Sequence, residues 1–237
     1  MRVPRPVFGD VNGNGGRRGR ERAFLAVSFT ALLGYLALFL LVRANRSVRA
    51  DLATTIRFQR QDHPALARLM GAVSWFGFQP QNVLLPLSVI AGTWALRRRL
   101  ESLFLVLAWA SSFLSFVTKL LVRRPRPGNP LIRVVEADIH DTSFPSGHTL
   151  HYTAFWGFFS YVVVTRAGHP FWRWLTVAVV SSLTALVGPS RIYLGHHWLT
   201  DVLASYLLGT AYLLGLVALY RRVRDWLSFD ANPDAVC

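Results

Sequence analysis

The run Ala23-Phe-Leu-Ala-Val-Ser-Phe-Thr-Ala-Leu-Leu-Gly-Tyr-Leu-Ala-Leu-Phe-Leu-Leu-Val42 carries no charged side chain. A helix rises about 1.5 Å per residue, so its length matches the ~20 residues needed to cross a bilayer's hydrocarbon core. Lipid offers the backbone no hydrogen bonds, which leaves the helix as the form such a run takes. Working outward, further apolar runs cover residues 71–96, 100–122, 146–165, 172–189 and 197–220. The second is interrupted by Gly77, Pro80 and Pro86, and irregular backbone at that depth is tolerated only against protein or a cavity. The composition agrees: 52% of residues are hydrophobic and the mean hydropathy is +0.33. The expected fold is an all-α polytopic membrane bundle of six transmembrane helices.

The expected organisation is a disordered cytoplasmic tail over 1–22, a six-helix membrane domain over 23–224 and a cytoplasmic tail over 225–237. Residues 1–22 are Gly-, Asn- and Arg-rich, with no strand or Gly-Lys-Ser to make a phosphate loop. Residues 43–70 are polar and arginine-rich, which suggests a surface helix in the interface. Arg17, Arg18, Arg20 and Arg22 before the first run favour a cytoplasmic amino terminus, and six spans return the carboxy terminus to the same side. The net charge of +14 is read as topology and anionic headgroups. Nucleic acid is not an expected partner, because no basic helix with interleaved aromatics lies outside the spans. Cys237 is the single cysteine and is assigned no role.

Three polar clusters then fall at one membrane face. The first runs from Lys119, the only lysine, to Arg126-Pro127. The second is Pro145-Ser146-Gly147-His148, and the third is Ser190-Arg191 through His196-His197 to Asp201. Each residue has a plainer reading. Lys119 would snorkel from a span end, Arg126 and Arg191 would anchor lipid, Ser146 would cap a helix, and His197 with Asp201 would be a structural pair. Convergence of three segments at one depth favours a site. Guanidinium forks match phosphate oxygens and an ammonium adds a point charge. Ser146 and Gly147 at a helix start add backbone donors for an anion. His197 is placed to attack phosphorus, Asp201 four residues on to hold its ring, and His148 to protonate the leaving oxygen. His196 is five residues from Asp201, on another helical face. Arg124-Pro125 is a second Arg-Pro pair, and His63, His140, His151 and His169 read as loop or interfacial residues.

These clusters spell K-x6-R-P, P-S-G-H and S-R-x5-H-x3-D, and in this the chain resembles the type 2 phosphatidic acid phosphatase (PAP2) superfamily of membrane lipid phosphatases. The resemblance covers about residues 70–220, and only Arg126 has the motif's spacing from Lys119. It implies a metal-independent phosphatase without cofactor, with a phosphohistidine on His197, His148 as general acid and then base, and Lys119, Arg126, Ser146, Gly147 and Arg191 around the phosphate. It also implies a site on the extracytoplasmic side. The expected substrate is a phosphatidate-like lipid phosphate monoester, with undecaprenyl diphosphate as the alternative. A non-catalytic lipid-phosphate binder or transporter would need the cage but not the histidines. A zinc site on His148, His196, His197 and Asp201 would be opposed by the surrounding cations and lacks H-E-x-x-H. Vanadium haloperoxidases share the anion cage but are soluble. Expected partners are the lipid substrate and membrane lipids; the oligomeric state is left open.

Overall fold

The computed structural model describes residues 11–230 apart from 138, 140 and 167. His140, Cys237 and the outer parts of both expected tails therefore lie outside the described residues. The elements are α1 (Val11–Arg43), α2 (Val48–Gln59), α3 (Pro64–Trp75), α4 (Gln81–Ala95), α5 (Arg99–Trp109), α6 (Ser111–Val122), α7 (Gly147–His151), a π-helical turn (Tyr152–Trp156), α8 (Gly157–Arg166), α9 (Pro170–Tyr193) and α10 (Leu199–Asp230). The fold is an all-α membrane bundle. Four stretches, Arg22–Arg43, Arg99–Val122, Pro170–Tyr193 and Leu199–Leu227, are each long and apolar enough to cross a bilayer.

Four boundaries differ from the sequence reading. Helix α1 already begins at Val11, inside the segment expected to be disordered, and α10 runs to Asp230, inside the expected carboxy-terminal tail. Arginine is a good helix former, so residues 17–22 extend the helix nucleated by the apolar span at little cost; the Gly- and Asn-rich residues 12–16 carry no such preference. The second predicted span is two helices. α3 starts at Pro64, capped by His63, whose Nδ1 accepts from the Ala65 amide at 3.2 Å. It stops at Trp75, and α4 resumes at Gln81 after Pro80, which has no amide proton to continue a ladder. The fourth is one unbroken stretch over 147–166 with the π-helical turn inside it, a feature common beside functional sites.

The fourth difference carries Ser190 and Arg191 into the last turn of α9 instead of the loop beyond it. Pro189 within this helix removes one backbone donor. Tyr206 of α10 inserts its hydroxyl one residue earlier, donating to the Thr184 carbonyl at 2.6 Å and accepting from the Gly188 amide at 3.0 Å. A Cβ on Gly188 would lie 2.6 Å from that hydroxyl, so the insertion requires glycine.

Helices α1 and α10 pack antiparallel, with Gly34 against Leu207 and the Ser28 hydroxyl donating to the Ala211 carbonyl at 3.1 Å. The end of α1, the end of α6, the start of α7, the end of α9 and the start of α10 consequently meet at one end of the bundle. A core of Tyr35, Val42, Phe144, Leu150, Ala204 and Leu208 packs beneath them. The opposite end is closed by Glu101, which accepts from the Tyr220 hydroxyl and pairs with Arg166, both at 2.9 Å. Exposed Trp94, Trp172, Trp174 and Trp226 ring that opposite end, as an interfacial aromatic belt does. Exposed Leu25, Phe29, Leu40, Phe113 and Phe116 face outward along the shafts, the pattern of a surface solvated by lipid.

Candidate active site

Lys119 sits in the last turn of α6. The next break is Arg123, whose left-handed backbone (φ 48°) ends the helix and turns Arg124-Pro125-Arg126 across the bundle end. Lys119 Nζ donates to Asp141 Oδ2 at 2.6 Å and to the Thr142 carbonyl at 2.7 Å. Arg126 Nε donates to the Asp141 carbonyl at 2.8 Å, and its Nη2 pairs with Asp141 Oδ1. Arg126 Nη1 donates to the His196 carbonyl at 2.6 Å and lies 3.2 Å from His197 Nε2. The first and third clusters therefore meet through one guanidinium.

His197 is almost fully buried, and its Nδ1 lies 2.7 Å from the Ser143 carbonyl, an acceptor. Its Nε2 faces a guanidinium, which can only donate. Both contacts require the tautomer with the proton on Nδ1, so Nε2 carries no proton and its lone pair accepts from Arg126. The Asp201 carboxylate does not hold this ring directly. Its Oδ2 is 3.7 Å from Nδ1, because α10 starts at Leu199 and His197 lies outside the helix. Instead Asp201 Oδ2 reaches back to the Trp198 amide at 2.9 Å, as the third residue of a capping box does, and accepts from the Ser143 hydroxyl. Asp201 acts on His197 through Ser143, which donates to one and accepts from the other.

Arg124, the second Arg-Pro arginine, is the buried hub of this end. Nη1 donates to Asp201 Oδ1 at 2.5 Å and Thr200 Oγ1 at 2.7 Å; Nη2 donates to Asp51 Oδ2 at 2.6 Å and Ser47 Oγ at 3.0 Å. Asp51 also accepts from the Thr200 amide at 2.9 Å. Helix α2 is therefore anchored by a fully buried carboxylate and is more than an interfacial surface helix. The sequence signal was there: twelve acids among 26 cations leave Asp51 conspicuous in a basic segment.

The remaining residues gather around Phe78, in the break between α3 and α4. The Arg191 guanidinium lies 4.9 Å over its ring, and the rings of His148 and His196 meet it edge-on at 4.7 and 6.1 Å. Arg191 is 1% exposed, with Nη1 on Ser74 Oγ at 2.8 Å and Nε without a partner among the described residues. His148 Nε2 is likewise buried and unpartnered. A Cβ on Gly77 would fall 2.1 Å from His148 Cδ2, so only glycine lets the break close over this histidine. Ser190 donates to the Met70 carbonyl at 2.6 Å and serves α3 packing. Ser146 caps α7, its hydroxyl 3.0 Å from Thr149 Oγ1, and Gly147 approaches Ser115. His196 Nε2 is tied to the Val135 carbonyl at 2.7 Å. His151, read from the sequence as a loop or interfacial residue, is buried and stacked on Phe155 at 5.3 Å, and His169 caps α9. Among the described residues, no three His, Cys, Asp or Glu side chains form a metal-holding group.

Burial, joined by the Arg126, Arg191 and Lys119 charges, holds the His197 imidazole well below the usual histidine range, against the weaker pull of the Ser143 carbonyl. Burial and Arg191 hold His196 at about 4. An unfolded chain takes up these protons near pH ~6.5, whereas the folded chain does so only at lower pH. The stabilisation from both neutral rings is thus complete above about pH 6.5 and is lost as pH falls toward 4. The melting temperature in detergent is expected to drop across that window, and a flat profile would contradict the buried neutral pair.

The PAP2 superfamily model matches residues 100–225. Phosphatidylglycerophosphatase B of Bacillus subtilis (strain 168) is 30% identical over 186 residues, spanning 75% of this chain and 86% of that protein. An undecaprenyl-diphosphatase of Sulfolobus acidocaldarius is 32% identical over 96 residues, 40% of this chain and 42% of that one. The crystal structure of a transmembrane PAP2 type phosphatidylglycerolphosphate phosphatase from Bacillus subtilis superposes with a TM-score of 0.73 at 24% identity, covering 83% of this chain and 96% of that chain. Aquifex aeolicus LpxE superposes with a TM-score of 0.53 at 24% identity, over 72% and 94% of the two chains. At these identities the structural likeness speaks for the fold.

Proposed function

The chain belongs to the PAP2 superfamily of membrane lipid phosphatases, and from that premise we propose that it hydrolyses a lipid phosphate monoester through a phosphohistidine on His197, without a metal ion. The observation that supports this most is the His197 ring. Its proton is pinned on Nδ1 by Ser143, and its unprotonated Nε2 faces Arg126.

In this reading Lys119, Arg126 and Arg191 take the phosphate oxygens, with the Ser146–Gly147 helix start supplying backbone donors. His197 Nε2 attacks phosphorus while the bond to the lipid oxygen breaks. His148 enters the step as the imidazolium and gives that oxygen a proton from Nε2, which has no other partner among the described residues, becoming the neutral imidazole. His148 then takes a proton from water. The water oxygen attacks phosphorus, the P–N bond breaks, and its electron pair returns to Nε2. Ser143 and Asp201 steady the imidazolium-like charge that develops on the ring.

An open groove of about 590 Å³, lined by Val42, Leu120, Leu121 and Val122 together with Arg43, Asn45 and Arg123, lies between the ends of α1 and α6. Its place beside Arg124-Pro125 suits the first part of an acyl tail. The site is proposed on the extracytoplasmic side with both termini cytoplasmic, since Arg97–Arg99 and Arg221–Arg224 crowd the opposite end. Phosphatidylglycerophosphate and phosphatidate are the first substrates to compare, because the relative named phosphatidylglycerophosphatase B covers most of the chain. The undecaprenyl-diphosphatase relative supports a polyprenyl diphosphate as the second reading.

Purified protein in detergent with EDTA is expected to hydrolyse at least one of these three lipids, the monoesters with the higher kcat/KM. Activity that appears only on adding a divalent metal would overturn the mechanism, and a preference for the polyprenyl diphosphate would select the second reading.

A further inference from the structure

The cage proposed for phosphate already holds an anion from its own chain. Asp141 places one carboxylate oxygen on Lys119 Nζ at 2.6 Å and the other on Arg126 Nη2. A phosphate group would present two oxygens to the same two donors. We propose that Asp141 is an affinity-determining residue of the reaction: its carboxylate occupies the phosphate position before substrate binds, and the substrate phosphate must displace it. This rests on the reading that Lys119 and Arg126 bind phosphate.

Three observations separate this from an ordinary structural ion pair. The first is exposure. The Asp141 side chain is 55% exposed, against 11% for Lys119 and 18% for Arg126. The cations belong to the framework, and the carboxylate lies over them from the water side. A pair open to water contributes little to stability, so breaking it costs little. By contrast, the Arg124 pairs with Asp51 and Asp201 a few residues away are fully buried.

The second is how the loop is held. Lys119 also donates to the Thr142 carbonyl and Arg126 Nε to the Asp141 carbonyl. These backbone contacts remain when the side chain rotates out. Displacement therefore needs a side-chain rotation, not a loop movement. Arg126 stays oriented by the His196 carbonyl throughout.

The third is charge. Burial opposes the Asp141 charge, but the Lys119 and Arg126 cations outweigh it and hold the carboxyl below the ordinary aspartate range. At neutral pH the internal occupant is an anion. A phosphate monoester carries about −1.5 to −2, so it gains more from the same two cations than the single charge of Asp141 does. The phosphate can win the exchange, and the carboxylate can return as phosphate leaves. An occupant that leaves the cage open about one-tenth of the time weakens every phosphate ligand about tenfold and leaves the bound complex unchanged.

The test compares wild-type chain with Asp141→Asn in detergent, using inorganic phosphate as competitor and short-chain phosphatidate as substrate. The amide keeps the shape and removes the charge. The phosphate inhibition constant and KM are both expected to fall about tenfold, with kcat changed less than about threefold. A residue that merely positions Lys119 and Arg126 would move both constants upward. A rise or no change in either constant therefore overturns the proposal. Lys119→Met, run alongside, tests the underlying reading separately: it should weaken phosphate inhibition at least tenfold. If phosphate inhibits wild type and Lys119→Met weakens it, but Asp141→Asn does not tighten it, only the Asp141 proposal fails. If phosphate inhibits none of the three, the cage reading fails with it.

Discussion

Alanine at His197 is expected to lower kcat by at least about 10⁴-fold, as loss of the nucleophile does in covalent catalysis. The cage donors do not depend on the imidazole: Arg126 is fixed by the His196 and Asp141 carbonyls, and Lys119 by the Thr142 carbonyl. Inorganic phosphate should therefore still bind the variant within a few-fold of wild type. A rapid alkali quench of wild type with ³²P-labelled substrate should trap an alkali-stable phosphoprotein whose label is lost on later treatment with acid, and the variant should trap none. His196→Ala is the control, because that ring is turned to the Val135 carbonyl and should contribute far less to rate. Full activity in His197→Ala, or a phosphoprotein that survives the substitution, would sink the assignment.

Methionine at Arg124 is expected to damage folding as well as rate. Asp51 and Asp201 are both 0% exposed, and each gives an oxygen to this one guanidinium. Methionine fills similar volume and leaves two buried carboxylates facing each other without a cation. Removing one partner of a buried ion pair costs about 3–5 kcal/mol, a large part of a domain's stability. The melting temperature in detergent should fall steeply and the yield of monodisperse protein with it. Adding Asp51→Asn removes one orphan charge and should restore part of the stability, a coupling readable as non-additivity in the double variant. Activity should return less than stability does, because Asp201 still lacks the donor that aims it at Ser143. An unchanged melting temperature in Arg124→Met would show that the buried network is not what holds α2 to the bundle.

The residues that could be read in advance are those whose meaning is local. Lys119, Arg126, Ser146, Gly147, His148, Arg191, His197 and Asp201 stand out because charge within an apolar chain is expensive wherever it sits. The structure brings them to one end of the bundle. Other features depend on contacts that sequence distance hides. Asp51 and Arg124 are 73 residues apart, and Gly77 meets His148 with three helices between them in the chain. Asp201 illustrates the gap. Its four-residue spacing suggested a direct contact on a helix face, but the helix begins two residues after His197, so the contact passes through Ser143.

The sequence alone determined the class of the protein, its membrane-crossing segments in outline and the side chains that carry charge at one face, because hydrophobic run length and the cost of buried charge are properties of the chain itself. Only the tertiary structure decided which hydrogen bonds those side chains make. It put the His197 proton on Nδ1, made Arg124 the hub that ties α2 to Asp201, and laid Asp141 into the cage. The reason is physical: a buried polar group takes whichever partner the packing of distant helices brings within about 3 Å, and that choice is not written in its own neighbourhood.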